Sequence, residues 1–163
     1  MTGELGSAVT GSPNLNLGNA TFPAGHVLQT VSTIQTTVHT VYSSTKVDVG
    51  LELAITPSST ANDILVFVDC EIAPMYVAGV DGRGNAHLLR DSTVILDQPT
   101  LGFYLAGVGT DSNIYTRVGF HRLDSPATTN SLTYKIQVGK GNAGHFSMNN
   151  GTGSSITLME IKR

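Results

Sequence analysis

The chain contains no tryptophan and a single cysteine, and charged residues make up 13% of its 163 positions. That charged share is about half of what soluble domains usually carry. Because Cys70 stands alone, no disulfide can form within the chain, and its place after Val66 and Val68 in an alternating series predicts a small core residue. The surface is expected to consist largely of hydroxyls and amides, since threonine, serine and asparagine are abundant. Such a surface suits contact with other copies of the chain, although a plain threonine-rich domain would show it too.

Three further absences exclude broad classes of function. The net charge is −3 and the nine lysines and arginines are scattered singly, so no basic stripe exists to neutralise phosphates, and nucleic acid is not an expected partner. The longest apolar run, around residues 64–68, covers about five positions against the roughly 20 that a membrane-spanning helix needs. The first ten residues have neither a cationic start nor an apolar core, so they are not expected to act as a secretory signal.

The chain is rich instead in short runs that alternate between apolar and polar residues, and no helical period competes with them. In the clearest run the apolar side chains Leu132, Tyr134, Ile136 and Val138 fall on one face, with polar residues between them, as a half-buried strand requires. Strands are predicted within residues 26–42 (one bent or two short), 46–55, 63–72, 86–90, 93–97, 100–106, 113–123, 131–139, 145–148 and 154–161. About eight to ten strands predict an all-β, antiparallel β-sandwich of the jelly-roll type.

The segment 63–72 is apolar on both faces. Ile64, Val66 and Val68 lie on one face, and Leu65 and Phe67 lie on the other. A strand of this kind is expected either at the centre of a sheet or at a contact between subunits. Phe67 is also predicted, with Tyr134, to belong to the core.

Residues 1–25 are predicted to form an extended N-terminal anchoring arm, and residues 26–163 the sandwich domain. The arm contains five glycines, two prolines and three asparagines among scattered apolar residues, a composition that cannot form a core of its own. It is expected to be held by the body of the same chain, by a neighbouring copy or by other proteins of a larger particle.

Several patterns imitate catalytic or ligand sites without completing them, so no enzyme, cofactor or metal is predicted. Residues 139–144 fit the spacing GxGxxG, but the segment that follows cannot form the helix that a pyrophosphate requires. Asp69 and Glu71 share one strand face at about 7 Å, near the spacing of paired glycosidase carboxylates, but that spacing is common by chance and a solvated or interface patch is the expected role. The five histidines show no ligand spacing, although one histidine per chain on a trimer axis stays open as an ion site.

Two loops, residues 74–85 and 107–113, are candidate contact surfaces by their position between strands. The first imitates the start of a calcium loop but has an arginine where an oxygen ligand is needed. The candidate contact residues of these loops and of the neighbouring aromatic segment are Tyr76, Asp81, Arg83, Asn85, Tyr104, Asp111 and Asn113.

Six phrases taken together resemble a family of tailed-bacteriophage virion proteins that is abundant in aquatic phages. Each is ordinary strand and turn sequence alone, but they follow in order over most of residues 22–161: FPAGHVLQTV (22–31), LELAITPSSTANDILVFV (51–68), LLRDSTVIL (88–96), LDSPATT (123–129), LTYKIQV (132–138) and SSITLMEI (154–161). Members occur as C-terminal parts of tail fibres or as small head-decoration proteins. The resemblance implies a β-sandwich that often trimerises and carries no catalytic motif.

The sequence therefore predicts a non-enzymatic structural protein located in a phage virion. It would be a capsid-decoration or head-fibre subunit, or a small tail appendage, that assembles as a trimer. The alternative is a tail-fibre receptor-binding module that recognises a glycan or protein on the host surface. An enzyme that degrades surface polysaccharide is a third hypothesis, and it would depend on Asp69 and Glu71.

Overall fold

The computed structural model describes residues 22–76, 83–102, 112–113, 115–141 and 144–163. This part of the chain contains eleven strands and no helix. The strands are β1 (Val27–Gln35), β2 (His39–Val41), β3 (Val47–Ile55), β4 (Asp63–Tyr76), β5 (Arg83–Arg90), β6 (Thr93–Gly102), β7 (Ser112–Asn113), β8 (Thr116–Asp124), β9 (Leu132–Lys140), β10 (Phe146–Met148) and β11 (Ser154–Ile161).

The strands form two antiparallel sheets. In the first sheet the order is β1-β11-β4-β10-β2, and β8 and β7 also pair with β4. Strand β11 pairs with residues 63–69 of β4, and β10 pairs with residues 72–74. Strands β11 and β10 therefore form one strand line beside β4, and β1 and β2 form the next line. In the second sheet the order is β3-β9-β5-β6.

The pairing follows a nested scheme that defines the fold. Strand β1 pairs with β11, β3 with β9, β4 with β8 and β5 with β6, so the chain resembles one long antiparallel hairpin wrapped into two sheets. Two sheets of four strand lines with this order form a jelly roll. The predicted all-β antiparallel sandwich is confirmed.

The core lies between the sheets, where the alternating apolar side chains meet. The even-numbered residues of β4 from Ile64 to Ile72 are at most 3% exposed. Tyr134 and Ile136 of β9 face them from the second sheet and are at most 1% exposed. Cys70 is part of this core as predicted, and burial raises the pKa of its thiol to about 12, so the thiolate that a reactive cysteine needs does not form near neutral pH.

Phe67 does not belong to the core, and that prediction is wrong. Its side chain is 42% exposed because it points away from the second sheet, on the outer side of β4. Strand β4 is central within its sheet, but only one of its faces meets the other sheet. The apolar pattern on both faces therefore indicates a central strand with an exposed apolar outer side.

The strand limits agree closely with the alternation, and the differences are local. The segment 26–42 forms two strands, β1 and β2, and the strand predicted at 63–72 continues to Tyr76. The segments 93–97 and 100–106 contribute to one strand, β6, which is described up to Gly102. At the β5–β6 turn Asp91 has a φ of 53° and its carboxylate accepts a hydrogen bond from the Thr133 amide at 2.9 Å.

The described end of the predicted arm, residues 22–25, lies against the C-terminus of the chain. The Gly25 amide donates to the Lys162 carbonyl at 2.7 Å, and the Lys162 amide donates to the His26 carbonyl at 2.9 Å. Residues 1–21 lie outside the described residues, so the rest of the arm remains a prediction.

Two further predictions concern dinucleotide binding and membrane crossing, which the sequence does not favour. The GxGxxG spacing begins at the end of β9, and the next described element is the short strand β10, with no helix between them in the described residues. No helix long and apolar enough to cross a membrane occurs in the part of the chain that the structure describes.

Candidate contact surface

The outer side of the first sheet carries a nearly uncharged array of side chains, which we call the neutral face. Cross-strand pairing places Ser32, Thr157, Phe67 and His121 in one row across β1, β11, β4 and β8. The rows on either side complete the face with Ile34, Ser155, Asp69 and Gly119 in one row, and Thr30, Met159, Leu65 and Leu123 in the other. These residues point outward because their neighbours along each strand pack against the core.

Large apolar side chains are exposed on the neutral face. Ile34 is 68% exposed, Leu123 50% and Phe67 42%. The rings of Phe67 and His121 lie side by side, with centroids 5.9 Å apart and planes tilted by 39°. Neighbouring serine and threonine hydroxyls pair with each other, as Ser32 and Thr157 do at 2.8 Å. The face is therefore a mixture of apolar groups and neutral hydroxyls.

A concavity of about 290 Å³ opens in the neutral face above Gly119. Gly119 has no side chain, which leaves open space at the floor of the concavity. A β-carbon placed on Gly119 would have the Val68 carbonyl oxygen as its nearest neighbour, at 3.7 Å. The concavity is lined by residues from three adjacent strands, namely Phe67, Val68, Asp69, Gly119, Phe120, His121, Ser155 and Thr157.

One charged residue, Asp69, stands within the three rows of the neutral face, and an arginine neutralises it. Arg117 Nη2 lies 2.7 Å from Asp69 Oδ2, and Arg117 Nη1 donates to Thr152 Oγ1 at 2.7 Å. The hydrogen bond to Asp69 raises the pKa of Arg117, so the guanidinium keeps its charge. Both partners are about half exposed, which limits the contribution of the pair to stability.

A second ion pair borders the opposite end of the face. Arg163 Nε donates to Asp63 Oδ2 at 2.8 Å, and the Ser125 hydroxyl donates to Asp63 Oδ1 at 2.6 Å. The outer side of β4 therefore has an uncharged centre with a neutralised carboxylate toward each end. Protein interfaces commonly show this order, with an apolar centre and a polar rim.

The outer side of the second sheet has the opposite character. Lys135 Nζ lies 3.1 Å from Asp48 Oδ2, and the neighbouring Glu52 is paired in register with Lys135. On the adjoining strands Asp97 lies 3.3 Å from His87 Nε2 and 3.6 Å from Lys46 Nζ. This charged face is the kind of surface that water solvates well.

Glu71 is not a solvated carboxylate, because it is buried beneath the turn between β10 and β11. Its Oε2 accepts hydrogen bonds from the backbone amide and hydroxyl of Thr152 and from the Gly153 amide, the last at 2.8 Å. Burial raises the pKa of Glu71, but these hydrogen bonds outweigh that effect and lower it overall. Glu71 therefore fixes a turn, while Asp69 binds Arg117.

Glu160 is a second buried carboxylate, which the sequence analysis did not identify. Its Oε1 accepts from the amide and hydroxyl of Ser58 at 2.8 and 2.7 Å and from Asn62 Nδ2 at 2.6 Å. Its Oε2 accepts from Gln29 Nε2 at 2.6 Å. Burial acts to raise the pKa of Glu160, and the hydrogen bonds again lower it overall. Glu160 joins β11 to β1 and to the β3–β4 connection, which is a structural role.

A third set of hydrogen-bonded polar side chains, which the sequence pattern did not reveal, lies inside the sandwich. The Tyr134 hydroxyl donates to Asp124 Oδ2 at 2.7 Å, and Arg90 Nη1 donates to both oxygens of that carboxylate at 2.8 and 2.9 Å. Burial and the neighbouring Asp124 raise the pKa of Tyr134. The alternating pattern identified Tyr134 as core but contained no sign of its partner.

The structure describes some of the predicted contact residues and places them in strands. Tyr76 ends β4 and Asn113 ends β7, and the pairing of these two strands brings both residues to one end of the first sheet. Arg83 and Asn85 belong to β5, and the Asn85 amide oxygen is buried beside Gly139, with no hydrogen-bond partner among the described residues. Asp81, Tyr104 and Asp111 lie outside the described residues, so a contact role for this set remains a prediction.

No group of three or more histidine, cysteine, aspartate or glutamate side chains suited to a metal ion occurs in the described ranges. The buried carboxylates Glu71 and Glu160 hold a turn and a strand connection.

No protein family model matches the sequence, and no curated protein matches it. Among solved structures, the chain is similar to a protein in T=1 particles derived from infectious bursal virus, with 9% identity and a TM-score of 0.41 over 93% of this chain and 40% of that one. It is also similar to a chain of the infectious bursal disease virus Gt strain, with 17% identity and a TM-score of 0.31 over 93% and 42% of the two chains. A third similarity is to dimeric latent PorU from Porphyromonas gingivalis, with 11% identity and a TM-score of 0.31 over 86% and 14%.

The chain spans less than half the length of each of these proteins. TM-scores below 0.5 are too low for any of the three similarities to indicate what this chain does. The jelly-roll assignment rests on the strand pairing described above.

Proposed function

We propose that this chain is a non-enzymatic structural protein of a bacteriophage virion, a capsid-decoration or head-fibre subunit or a small tail appendage that assembles as a trimer. The observation that carries the assembly part is the neutral face, where exposed apolar groups and hydroxyls replace charge. The virion part rests on the sequence phrases between residues 22 and 161, because a jelly roll alone does not specify a function.

The buried carboxylates support the non-enzymatic part of the proposal. Glu71 and Glu160 accept hydrogen bonds that fix turns and strands, and Asp69 is held by Arg117. General acid–base catalysis needs a carboxyl group within reach of a substrate, and Glu71 and Glu160 are both buried and fully engaged.

The size of the neutral face sets how much binding it can supply. Four strand lines spaced about 4.8 Å apart, with five residues rising about 3.4 Å each, give a patch of about 330 Å². Two such patches bury about 650 Å², which is below the roughly 1,000 Å² that a specific interface needs, so further contact is required. The N-terminal arm is the predicted source of additional contact.

The receptor-binding alternative has support at a different place, the end of the first sheet near Tyr76. Tyr42 is 70% exposed and its ring lies 5.5 Å from that of His145, while Tyr115 is 59% exposed and its hydroxyl accepts a hydrogen bond from Asn150. Exposed aromatic rings beside polar groups can stack against a sugar ring. Glycan-array binding that is lost in Tyr42→Ala or Tyr115→Ala would favour this function.

The oligomeric state is tested by light scattering on the full chain at micromolar concentration. A trimer is expected to give three times the chain mass of 17.1 kDa. The mass of a single chain across the whole concentration range would contradict assembly as a trimer.

The virion part is tested by asking whether a chain without residues 1–25 still enters particles. Full-length chain is expected to purify with the particles, and the shortened chain is expected to fold but stay behind. Full-length chain that never purifies with particles would contradict the virion assignment, whatever its mass in solution.

A further inference from the structure

From the shape of the neutral face we infer that the concavity above Gly119 is a socket that receives an apolar side chain from a second copy of this chain. Ile34 is the side chain that fits this role. The inference rests on the proposed assembly and specifies which residues make the contact.

The socket has the size and the walls for one hydrophobic side chain. Its volume is about 290 Å³, and an apolar cavity of roughly 150 Å³ already holds a benzene ring. Phe67 and His121 form an aromatic wall on one side, and Ser155 and Thr157 of β11 close the other. Gly119 leaves the floor open.

Ile34 cannot fill the socket of its own chain. It lies in the same row as Gly119, but Ser155 and Asp69 stand between them. Three strand spacings separate the two backbones, about 14 Å. Ile34 is nevertheless the most exposed large apolar residue on the neutral face, at 68%. Each copy therefore presents a protruding side chain and an open socket on one surface.

Charge favours a second copy over a different kind of partner. The carboxylate of Asp69 at the socket is neutralised by Arg117, so two such faces meet without like-charge repulsion. A nucleic acid or an acidic partner would require a cationic surface, which the neutral face lacks. If Ile34 enters the socket of the next copy, every copy uses both features, and a head-to-tail contact of this kind forms a ring when the rotation between copies closes.

The direct test is a pair of cysteines, Ile34→Cys with Gly119→Cys, in the full chain. A disulfide within one chain is excluded, since two cysteines with α-carbons more than about 7 Å apart cannot be bridged. The native Cys70 is buried and does not compete. Mild oxidation is expected to yield covalent oligomers, resolved as multiples of the chain mass on a non-reducing gel. The single variants, with one new cysteine each, are the controls.

A second variant fills the socket without relying on a crosslink. Gly119→Leu places a side chain in the concavity, and the space at the β-carbon permits it. Sedimentation velocity is expected to show a dissociation constant raised on the order of tenfold or more. The matched control is Ala54→Leu on the exposed side of the second sheet, which is expected to leave association unchanged. Melting temperatures of both variants establish that they fold.

Two outcomes would overturn the socket while leaving the proposed function in place. One is a wild-type trimer in which the cysteine pair forms no linked oligomer and Gly119→Leu associates like the wild type. The other is a sugar that binds the wild-type protein and fails to bind Gly119→Leu, which would make the concavity a glycan site. A wild-type protein that stays monomeric at every concentration would overturn the trimer and the socket together.

Discussion

The two outer faces of the sandwich are built by the same alternation but carry different chemistry. On the first sheet the outward positions hold Ile34, Phe67, Leu123 and neighbouring hydroxyls, with Asp69 neutralised by Arg117. On the second sheet they hold the Lys135–Asp48 pair and a cluster around Asp97, with Val94 as an exposed apolar side chain. The inward positions of both sheets are mostly apolar. Folding depends on the inward pattern. The difference between the two outer faces therefore relates to what each face contacts, water or another protein.

A charged face incurs a large desolvation penalty when another protein covers it, whereas the penalty for a face of hydroxyls and apolar groups is much smaller. The charged face is therefore suited to remain in water. The neutral face gains free energy when its exposed apolar area is covered, at about 25 cal/mol per Å². The comparison predicts that changes on the neutral face alter association, while equivalent changes on the charged face do not.

The largest effect is expected from a charge placed at the centre of the neutral face. Phe67→Asp should weaken association by at least about a hundredfold, roughly 3 kcal/mol, because each copy would bring an unpaired carboxylate into the contact. The control is Thr133→Asp, at an outward position of the second sheet. Light scattering over a dilution series measures both. Equal weakening by the two variants would show that the faces do not differ in function.

The next largest effect concerns the interior that supports both faces. Glu160→Ala removes the acceptor for Ser58, Asn62 and Gln29, leaving buried donors unpaired, and should lower the free energy of unfolding by about 3 kcal/mol. Glu160→Gln keeps one acceptor oxygen and should lose about half as much. Urea denaturation measures the loss. A Glu160→Ala variant that unfolds at the same urea concentration as the wild type would contradict the structural role of this carboxylate.

A pH titration of stability tests the buried carboxylates of the interior separately from the outer faces. The pKa values of Glu71 and Glu160 are lowered in the folded chain from an ordinary value of 4.5. Their stabilising contribution is therefore fully present above about pH 4.5 and is lost as the pH falls through the folded values. Urea midpoints should decline from pH 5 to pH 3, and less steeply in the double variant Glu71→Gln with Glu160→Gln. An unchanged slope in the double variant would assign the acid sensitivity to other groups.

The alternation in the sequence predicted the inward residues well because a strand has a period of two whatever it pairs with. Ile64 to Ile72 and Leu132 to Val138 could be assigned from that period alone. The nested pairing of β1 with β11 and β3 with β9 could not, since it joins segments that are far apart in the sequence and depends on all strands at once. The sandwich class was predicted on this basis, and its strand order was not.

The candidate site was predicted less well, for physical reasons that Phe67 and Glu160 illustrate. Phe67 has the side chain of a core residue, and only the position of the second sheet decides that it points outward. Glu160 resembles any charged residue at a strand end, and its partners Ser58 and Gln29 are distant in the sequence. The neutral face likewise combines four strands, β1, β4, β8 and β11, so no local pattern reveals it.

The smallest predicted effect tests whether neutrality itself matters on the first sheet. Arg117→Gln should change stability by less than about 1 kcal/mol, because the ion pair with Asp69 is half exposed. It leaves the Asp69 carboxylate unneutralised in an outer row of the neutral face, so copies should repel each other and association should weaken a few-fold at low salt. Raising the salt to about 1 M shortens the screening length from about 10 Å to about 3 Å and should restore association. Lys135→Gln similarly leaves Asp48 unpaired on the charged face, and sedimentation velocity should detect no change in association for that variant, since the comparison assigns that face to water.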